Sequence, residues 1–300
     1  MNSRKAPQGS IVVGIDGSRT GERALDWALD DATRRHLPVH VVHAYVQYPR
    51  MTADLPTTVD DLQVSAEGVV RKALERAAGM APDVRLTSEV HPGAAARYLV
   101  DASAHADSIV VGTHGRHGLA RVFLGSTASQ VAAYARCPVV VVRTPTQSVG
   151  TMGGRVVVGV DGTKVSRDAI GYAFAQAASR AATLTAVHAW WLEYGGDGLV
   201  IPLSAGEQEQ VARMHDAMVS EAIAEWAEKF PEVKVDTHVA RADAFELLVE
   251  ESADAELLVV GSRGRGGFTG LLLGSVSQHV IQLATCPVAV VRTQPANGGH

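Results

Sequence analysis

Two stretches of this sequence carry residue types and spacing suited to holding a phosphate. Residues 110–126 read VVGTHGRHGLARVFLGS, and residues 259–275 read VVGSRGRGGFTGLLLGS. Each opens on an apolar run that predicts a buried strand. Two glycines spaced G-x-x-G follow, then nine residues, then Gly-Ser. The anchors are Gly112, Gly115, Gly125 and Ser126 in the first copy, and Gly261, Gly264, Gly274 and Ser275 in the second. Helical patterns follow at 127–135 and 276–284. Strand, glycine loop and helix start together suit an anion, because glycine lets backbone approach a ligand and free N–H groups converge at a helix N-terminus. Ser126 and Ser275 fall where an N-cap is expected, and such a hydroxyl either caps the helix or binds phosphate. Tight turns with capped helices are the plainer reading of the same residues.

Other residues with chemistry recur in pairs. Asp16 and Asp161 each end an apolar run, IVVGIDGS and VVVGVDGT. Such an Asp can cap the turn into the next helix. It can also line a ligand site, bonding a hydroxyl group or assisting a metal on a phosphate. His43 and His188 recur in VHVVHAY and LTAVHAW without further ligands at metal spacing, so packed, hydrogen-bonded strand histidines are expected. Arg116 and Arg265 follow the second loop glycine and either reach phosphate or stay solvated. Arg121 has Gly270 as its counterpart and reads as a surface residue. Cys137 and Cys286 both precede proline and read as small buried residues, one per repeat, not as a disulfide.

The elements that must position these residues also repeat. Asp16 and Asp161 are 145 residues apart, as are His43 and His188. The glycine loops and the closing segments CPVVVVRT (137–144) and CPVAVVRT (286–293) are 149 apart, so four residues are inserted within the second repeat. A unit this long is a duplicated domain, not a solenoid repeat. We place the domains at 9–144 and 154–293, joined by the linker TPTQSVGTMGG. In the first, strands are expected at 11–16, 39–45, 84–91, 108–112 and 138–143, with helices near 20–36, 59–79, 93–105 and 126–135. Strands near 155–161, 184–190, 233–240, 256–261 and 287–292 follow in the second. Strict strand–helix alternation predicts an α/β fold, with two tandem doubly wound domains, each a five-stranded parallel sheet flanked by helices. A flavodoxin-like order 3-2-1-4-5 sets Asp16 and its glycine loop on one crevice, at the point where strand order reverses.

Composition narrows the function. The formal net charge of −5 argues against general nucleic-acid binding. No apolar run reaches the length of a membrane span. The opening MNSRKAPQGS has no apolar segment behind its basic start, so a cytoplasmic protein without a secretory signal is expected.

Taken together, the chain resembles the universal stress proteins, in the tandem two-domain form common in actinobacteria. The resemblance rests on VVGIDGS and VVVGVDGT, the paired VHA segments, G-x-x-G-x9-G-[ST] in both halves and the two closing strands. It covers nearly the whole chain. The intact glycine motif marks the ATP-binding branch, so the resemblance implies two ATP sites, with magnesium as an optional companion. For the first site it implies Gly14 and Asp16 on the nucleotide and Ala44 beside adenine. The loop Gly112, Thr113, His114, Gly115, Arg116, His117 and Gly118 would wrap ribose and phosphates, and Gly125, Ser126, Thr127 and Ala128 would hold phosphate. For the second it implies Gly159, Asp161 and Ala189. The loop there is Gly261, Ser262, Arg263, Gly264, Arg265, Gly266 and Gly267, with Gly274, Ser275, Val276 and Ser277 at the turn. Arg263 replaces His114 and stays charged near neutral pH, so the second site should hold an anion more strongly. Some relatives associate through the last strand, which makes 139–142 and 288–291 candidate homodimer edges. A regulatory protein partner is also implied. No Walker loop, dinucleotide fingerprint or nucleophile elbow is present, and no residue stands out to activate water. The expected protein binds ATP and hydrolyses it slowly at most. A slow ATPase and a scaffold whose glycine loops are only turns are the competing readings.

Overall fold

The structure is a computed structural model, which describes residues 6–45, 59–113, 124–143, 154–190, 204–264 and 272–293. They fall into two compact units. Unit 1 runs β1 (Ile11–Ile15), α1 (Arg19–Arg35), β2 (Val39–Tyr45), α2 (Val59–Met80), β3 (Leu86–Pro92), α3 (Ala95–Ala102), β4 (Ser108–Gly112), α4 (Ser126–Tyr134) and β5 (Val139–Val142). All its strand pairs are parallel, in the order β3-β2-β1-β4-β5. Unit 2 repeats this with β6 (Arg155–Gly159), α5 (Lys164–Arg180), β7 (Thr183–Trp190), α6 (Ala205–Lys229), β8 (Val235–Arg241), α7 (Ala244–Glu251), β9 (Leu257–Gly261), α8 (Ser275–Leu283) and β10 (Val288–Val291). A short 3-10 turn, Ser252–Asp254, precedes β9. Its order is β8-β7-β6-β9-β10. The expected strand order holds in both units.

The strands form because β-branched residues run unbroken. IVVGI, SIVVG and VVVV bury nearly every side chain, as sheets covered on both faces require. Crossovers between parallel strands are right-handed. The chain moves outward through β1, β2 and β3 and then returns past β1 to β4. Accordingly α1 and α2 pack together, while α3 and α4 pack together. The reversal leaves β1 and β4 as neighbours, with Gly14 opposite Val111. In unit 2, β6 and β9 are neighbours, with Val158 opposite Val259. No helix among the described residues is long and apolar enough to cross a membrane.

Polar residues set the first helices. Ser18 caps α1 by accepting from the Gly21 N–H, and Thr163 caps α5 by accepting from Ser166. Such caps contribute about 1 kcal/mol each. At the far end of the sheet, Arg35 holds Asp31 at 3.1 Å and Asp107 at 2.7 Å, tying α1 to the start of β4. Arg180 takes the same place in unit 2, with Gln176 and Glu256 around it. Cys137 and Cys286 are free and buried, as expected.

Candidate functional site

The site begins where β1 and β4 end side by side. Asp16 follows β1 directly, and Thr113 follows β4. The Thr113 N–H donates to the Val142 carbonyl at 3.0 Å, and the Thr113 carbonyl accepts from the Gly125 N–H at 2.7 Å. Ser262 does the same in unit 2, with Val291 at 2.7 Å and Gly274 at 2.8 Å. Both Thr113 and Ser262 are buried. These bonds close each glycine loop at its neck and deliver the chain to the start of the last helix. Residues 114–118, 121 and 265–267 lie outside the described residues, so the assignments to His114, Gly115, Arg116, His117, Gly118, Arg265, Gly266 and Gly267 stand as expectations, as does the surface reading of Arg121.

The helix start corrects one expectation. Gly125 and Gly274 are the N-caps, and Ser126 and Ser275 are the first helical residues. Neither cap has a side-chain hydrogen bond. A glycine cap costs only a few tenths of a kcal/mol against serine, and it lets the loop pack closely. A Cβ on Gly274 would lie 3.3 Å from the Arg263 Cα. The serine hydroxyls therefore do not cap, and the first turn of each last helix presents its N–H groups without a side-chain acceptor from the cap residue. Thr127 and Val276 follow on that turn. Ala128 and Ser277 are buried beneath it, and the Ser277 hydroxyl donates to the Gly261 carbonyl at 2.6 Å. Ser277 thus fixes α8 on the end of β9 and reaches a ligand only through its backbone.

Asp16 and Asp161 prove to be turn residues. Asp16 Oδ1 accepts from the Ser18 N–H at 3.0 Å and from the Ser18 hydroxyl. Asp161 Oδ1 accepts from the Thr163 N–H at 2.9 Å and its hydroxyl at 2.7 Å. The second oxygen of Asp161 faces the glycine loop, and a Cβ built on Gly264 would lie 2.7 Å from Oδ2. Strand-end carboxylate and loop therefore meet in unit 2, as the order 3-2-1-4-5 requires. Gly14 and Gly159 serve packing: a Cβ there would press on Leu99 of α3 at 3.0 Å and on Leu248 of α7 at 3.3 Å. On Gly112 it would strike the Thr20 backbone at 2.8 Å, which lets α1 close on β4. Ala44 and Ala189 lie half-buried near the ends of β2 and β7.

His43 and His188 are packed strand histidines. Each turns Nδ1 to the carbonyl that precedes the aspartate, Ile15 at 2.8 Å and Val160 at 2.6 Å. His188 also meets His215 of α6, with Nε2 and Nδ1 2.9 Å apart. Unit 1 instead has a buried polar chain behind the site. His40 bonds Thr87 at 2.8 Å and Tyr98 at 3.3 Å, and the Tyr98 hydroxyl donates to Glu89 at 2.8 Å. Burial pulls the His40 pKa down against the opposing charge of Glu89. Burial and the Glu89 carboxylate push the Tyr98 phenol up.

Two basic residues join the site that motif reading did not single out. Arg143 and Arg292 follow β5 and β10, beside the necks of the loops. Burial lowers the pKa of both guanidinium groups, and the charge of Arg263 lowers Arg292 further. Arg292 donates to the Leu272 carbonyl at 2.9 Å. Their signal was the arginine shared by CPVVVVRT and CPVAVVRT, a charge placed at the end of a buried strand. Both remain cations, so the second site gathers positive charge from Arg263 and Arg292 next to a helix start that has no side-chain cap.

Comparison with known proteins agrees with this architecture. The model of the universal stress protein family matches residues 9–143 and again 152–292. A universal stress protein of Mycolicibacterium smegmatis is 37% identical over 296 residues, covering 96% of this chain and 99% of that protein. Universal stress protein Rv2005c of Mycobacterium tuberculosis is 36% identical over 300 residues, covering 97% and 99%. The crystal structure of a universal stress protein from Archaeoglobus fulgidus shares the fold, with TM-score 0.67 at 18% identity over 95% of this chain and 96% of that one. Two matches of one family model in sequence, each over a complete five-stranded unit, place this chain in the universal stress protein family as a tandem of two domains.

Proposed function

We propose that each unit binds ATP at the crevice between its first and fourth strands, and that the bound nucleotide regulates the protein's conformation and its partners. The observation that carries this reading is the start of α8. It is capped by Gly274 with no side-chain bond, folded against Arg263, and accompanied by the half-buried charge of Arg292. Two like charges near a helix N-terminus, where the macrodipole is also positive, are relieved by an anion. The triphosphate would lie on the first-turn N–H groups of α4 and α8. Arg263 and Arg292 would face it in unit 2. Asp161, whose Oδ2 is turned to the loop, suits a ribose hydroxyl or a magnesium ion on the phosphates, because a bare carboxylate would repel phosphate. ATP can shift the protein only by binding one conformation better than another. A scaffold reading draws support from Asp16 and Asp161, which already have a turn to hold.

One experiment separates these readings. The purified chain is denatured, and any released nucleotide is identified and counted; ATP is then titrated into the emptied, refolded chain by calorimetry. About two ATP per chain, with a rise in melting temperature, is the expected result. No copurifying nucleotide, together with no heat and no thermal shift, leaves the scaffold reading. Release of ADP, with turnover that depends on magnesium, makes the protein a slow ATPase.

A further inference from the structure

The two units differ most sharply behind the aspartate. In unit 2, His188 Nδ1 lies 2.6 Å from the Val160 carbonyl, and Val160 directly precedes Asp161. A carbonyl only accepts, so Nδ1 carries the hydrogen. His188 Nε2 then faces His215 Nδ1 at 2.9 Å, with one hydrogen between them. The His215 ring stacks on Trp190, with centroids 5.3 Å apart and planes 8° from parallel. In unit 1 His43 makes the same bond to the Ile15 carbonyl. The offset that relates Cys137 to Cys286 places Ala66 where unit 2 has His215. Helix α6 is thus pinned by a polar contact to the strand end that presents Asp161, and α2 has alanine in that place.

We propose that His215 is a positioning residue for the unit 2 site, and that acid releases it. The neutral pair is satisfied, with His215 donating to His188. A singly protonated pair keeps the same bond. A doubly protonated pair sets N–H against N–H across 2.9 Å with two charges, and the contact must open. The charged and titratable groups on the elements packed around the pair are Asp161 after β6, Lys164, Arg167 and Asp168 at the start of α5, Arg213 and Asp216 within a turn of His215 on α6, and Asp236, His238 and Arg241 on β8. Arg241 stands in register with Trp190, and the residue in register with His188 is the apolar Val239. Four cations and four carboxylates balance, so the second proton is opposed by the first, held across 2.9 Å. A histidine held back from protonation in the folded state gives stability that is present above its ordinary range and lost as pH falls. The contact should therefore hold at neutral pH and open in mild acid, in unit 2 only. Its consequence for ATP rests on the proposed function above; the release itself does not.

The test uses the full chain without nucleotide. Hydrogen exchange of α6 and α2 is followed from about pH 8 to about pH 5, corrected for intrinsic rates. It is run on the wild type, on His215→Ala, which installs the residue of unit 1, and on His215→Asn. The asparagine amide can donate to His188 Nε2 without titrating. In the wild type, α6 should lose at least about tenfold protection in acid. His215→Ala should be weakly protected at every pH, and His215→Asn well protected at every pH. The same acid response of α6 in wild type and His215→Asn overturns the proposal. A second arm titrates ATP at both ends of the pH range. Weakening of one site in the wild type and not in His215→Asn carries the effect to the ligand. Absence of any ATP binding refutes the nucleotide reading and leaves the exchange result intact.

Discussion

Replacing Gly264 by alanine adds one methyl group at the place where loop and strand end meet. The new Cβ would lie 2.7 Å from Asp161 Oδ2, short of ordinary carbon–oxygen contact by about half an ångström. Backbone strain does not enter, because Gly264 does not have a positive φ. The carboxylate cannot simply turn aside, since its other oxygen is held at 2.9 and 2.7 Å by Thr163, the cap of α5. Releasing those bonds would cost about 1.5–3 kcal/mol each, because the acceptor is charged. Shifting the loop is the cheaper course, at about 1–3 kcal/mol as in other overpacked sites. The shift reaches the start of α8, because Gly274 bonds Ser262 at 2.8 Å and packs on the Arg263 Cα. Since 1.4 kcal/mol is tenfold in affinity, ATP binding in unit 2 should weaken by about tenfold to hundredfold, with unit 1 unchanged. Titration calorimetry resolves the two sites, and thermal melting of the nucleotide-free chain reads the contact alone. A variant with both affinities and the melting temperature of the wild type would refute the reasoning.

Two alanine replacements elsewhere should act in opposite directions. Gly171→Ala puts a methyl inside the Trp226 ring and should cost about 1–3 kcal/mol, while Gly79→Ala meets nothing within 4 Å and should gain about 0.5–1 kcal/mol, both read from denaturant unfolding. The buried thiols of Cys137 and Cys286, pushed up to about 12 by burial, should resist a thiol reagent at neutral pH, and unfolding in denaturant should release two reactive groups per chain. His40, pulled below its ordinary 6.5 by burial, gives stability present above that value and lost as pH falls. The melting temperature of unit 1 should therefore drop in acid, and the drop should be shallower in His40→Gln; an identical slope would remove His40 as its source.

Much of the architecture could be read before any coordinates, because the sheet writes itself into runs such as IVVGI and LLVVG. Duplication doubled each signal: a motif ambiguous once, such as Gly-x-Asp at a strand end, gained a position when it returned at a fixed offset. Contacts between residues distant in sequence left less trace. The neighbour of His188 is 27 residues away on α6, within a stretch whose pattern says only helix. The cap at Gly125 was misplaced by one residue because serine is the better cap on propensity, whereas loop packing selects glycine. Arg143 and Arg292 stand in the repeated closing segments, but a charge at a strand end is usually solvated, and only the fold shows them half-buried.

The second helix of each unit is held by different contacts, which bears on how two units of one fold could come to behave differently. Unit 1 joins α1 to α2 by an ion pair in which Arg76 meets both oxygens of Asp26 at 2.7 Å. The residue matching Asp26 in unit 2 is Gly171, and the residue matching Arg76 is Glu225, one place before Trp226. There the Trp226 ring fills the space beside the glycine, and Phe230 stacks beyond it. An exposed ion pair contributes little and weakens with salt. An aromatic packed on a glycine is insensitive to both salt and pH. Helix α6 is therefore anchored at its C-terminal half by a contact that does not respond to solution conditions, and nearer its start by His215, which does. A helix fixed at one end and released at the other can move only about the fixed end, and the released end is the one tied through His188 to the Val160 carbonyl. Helix α2 has the reverse arrangement, with a salt-sensitive pair at its C-terminal half and apolar Ala66 opposite the strand end. The same fold thus holds the second helix of one unit by a contact that titrates and that of the other by an ion pair that salt weakens.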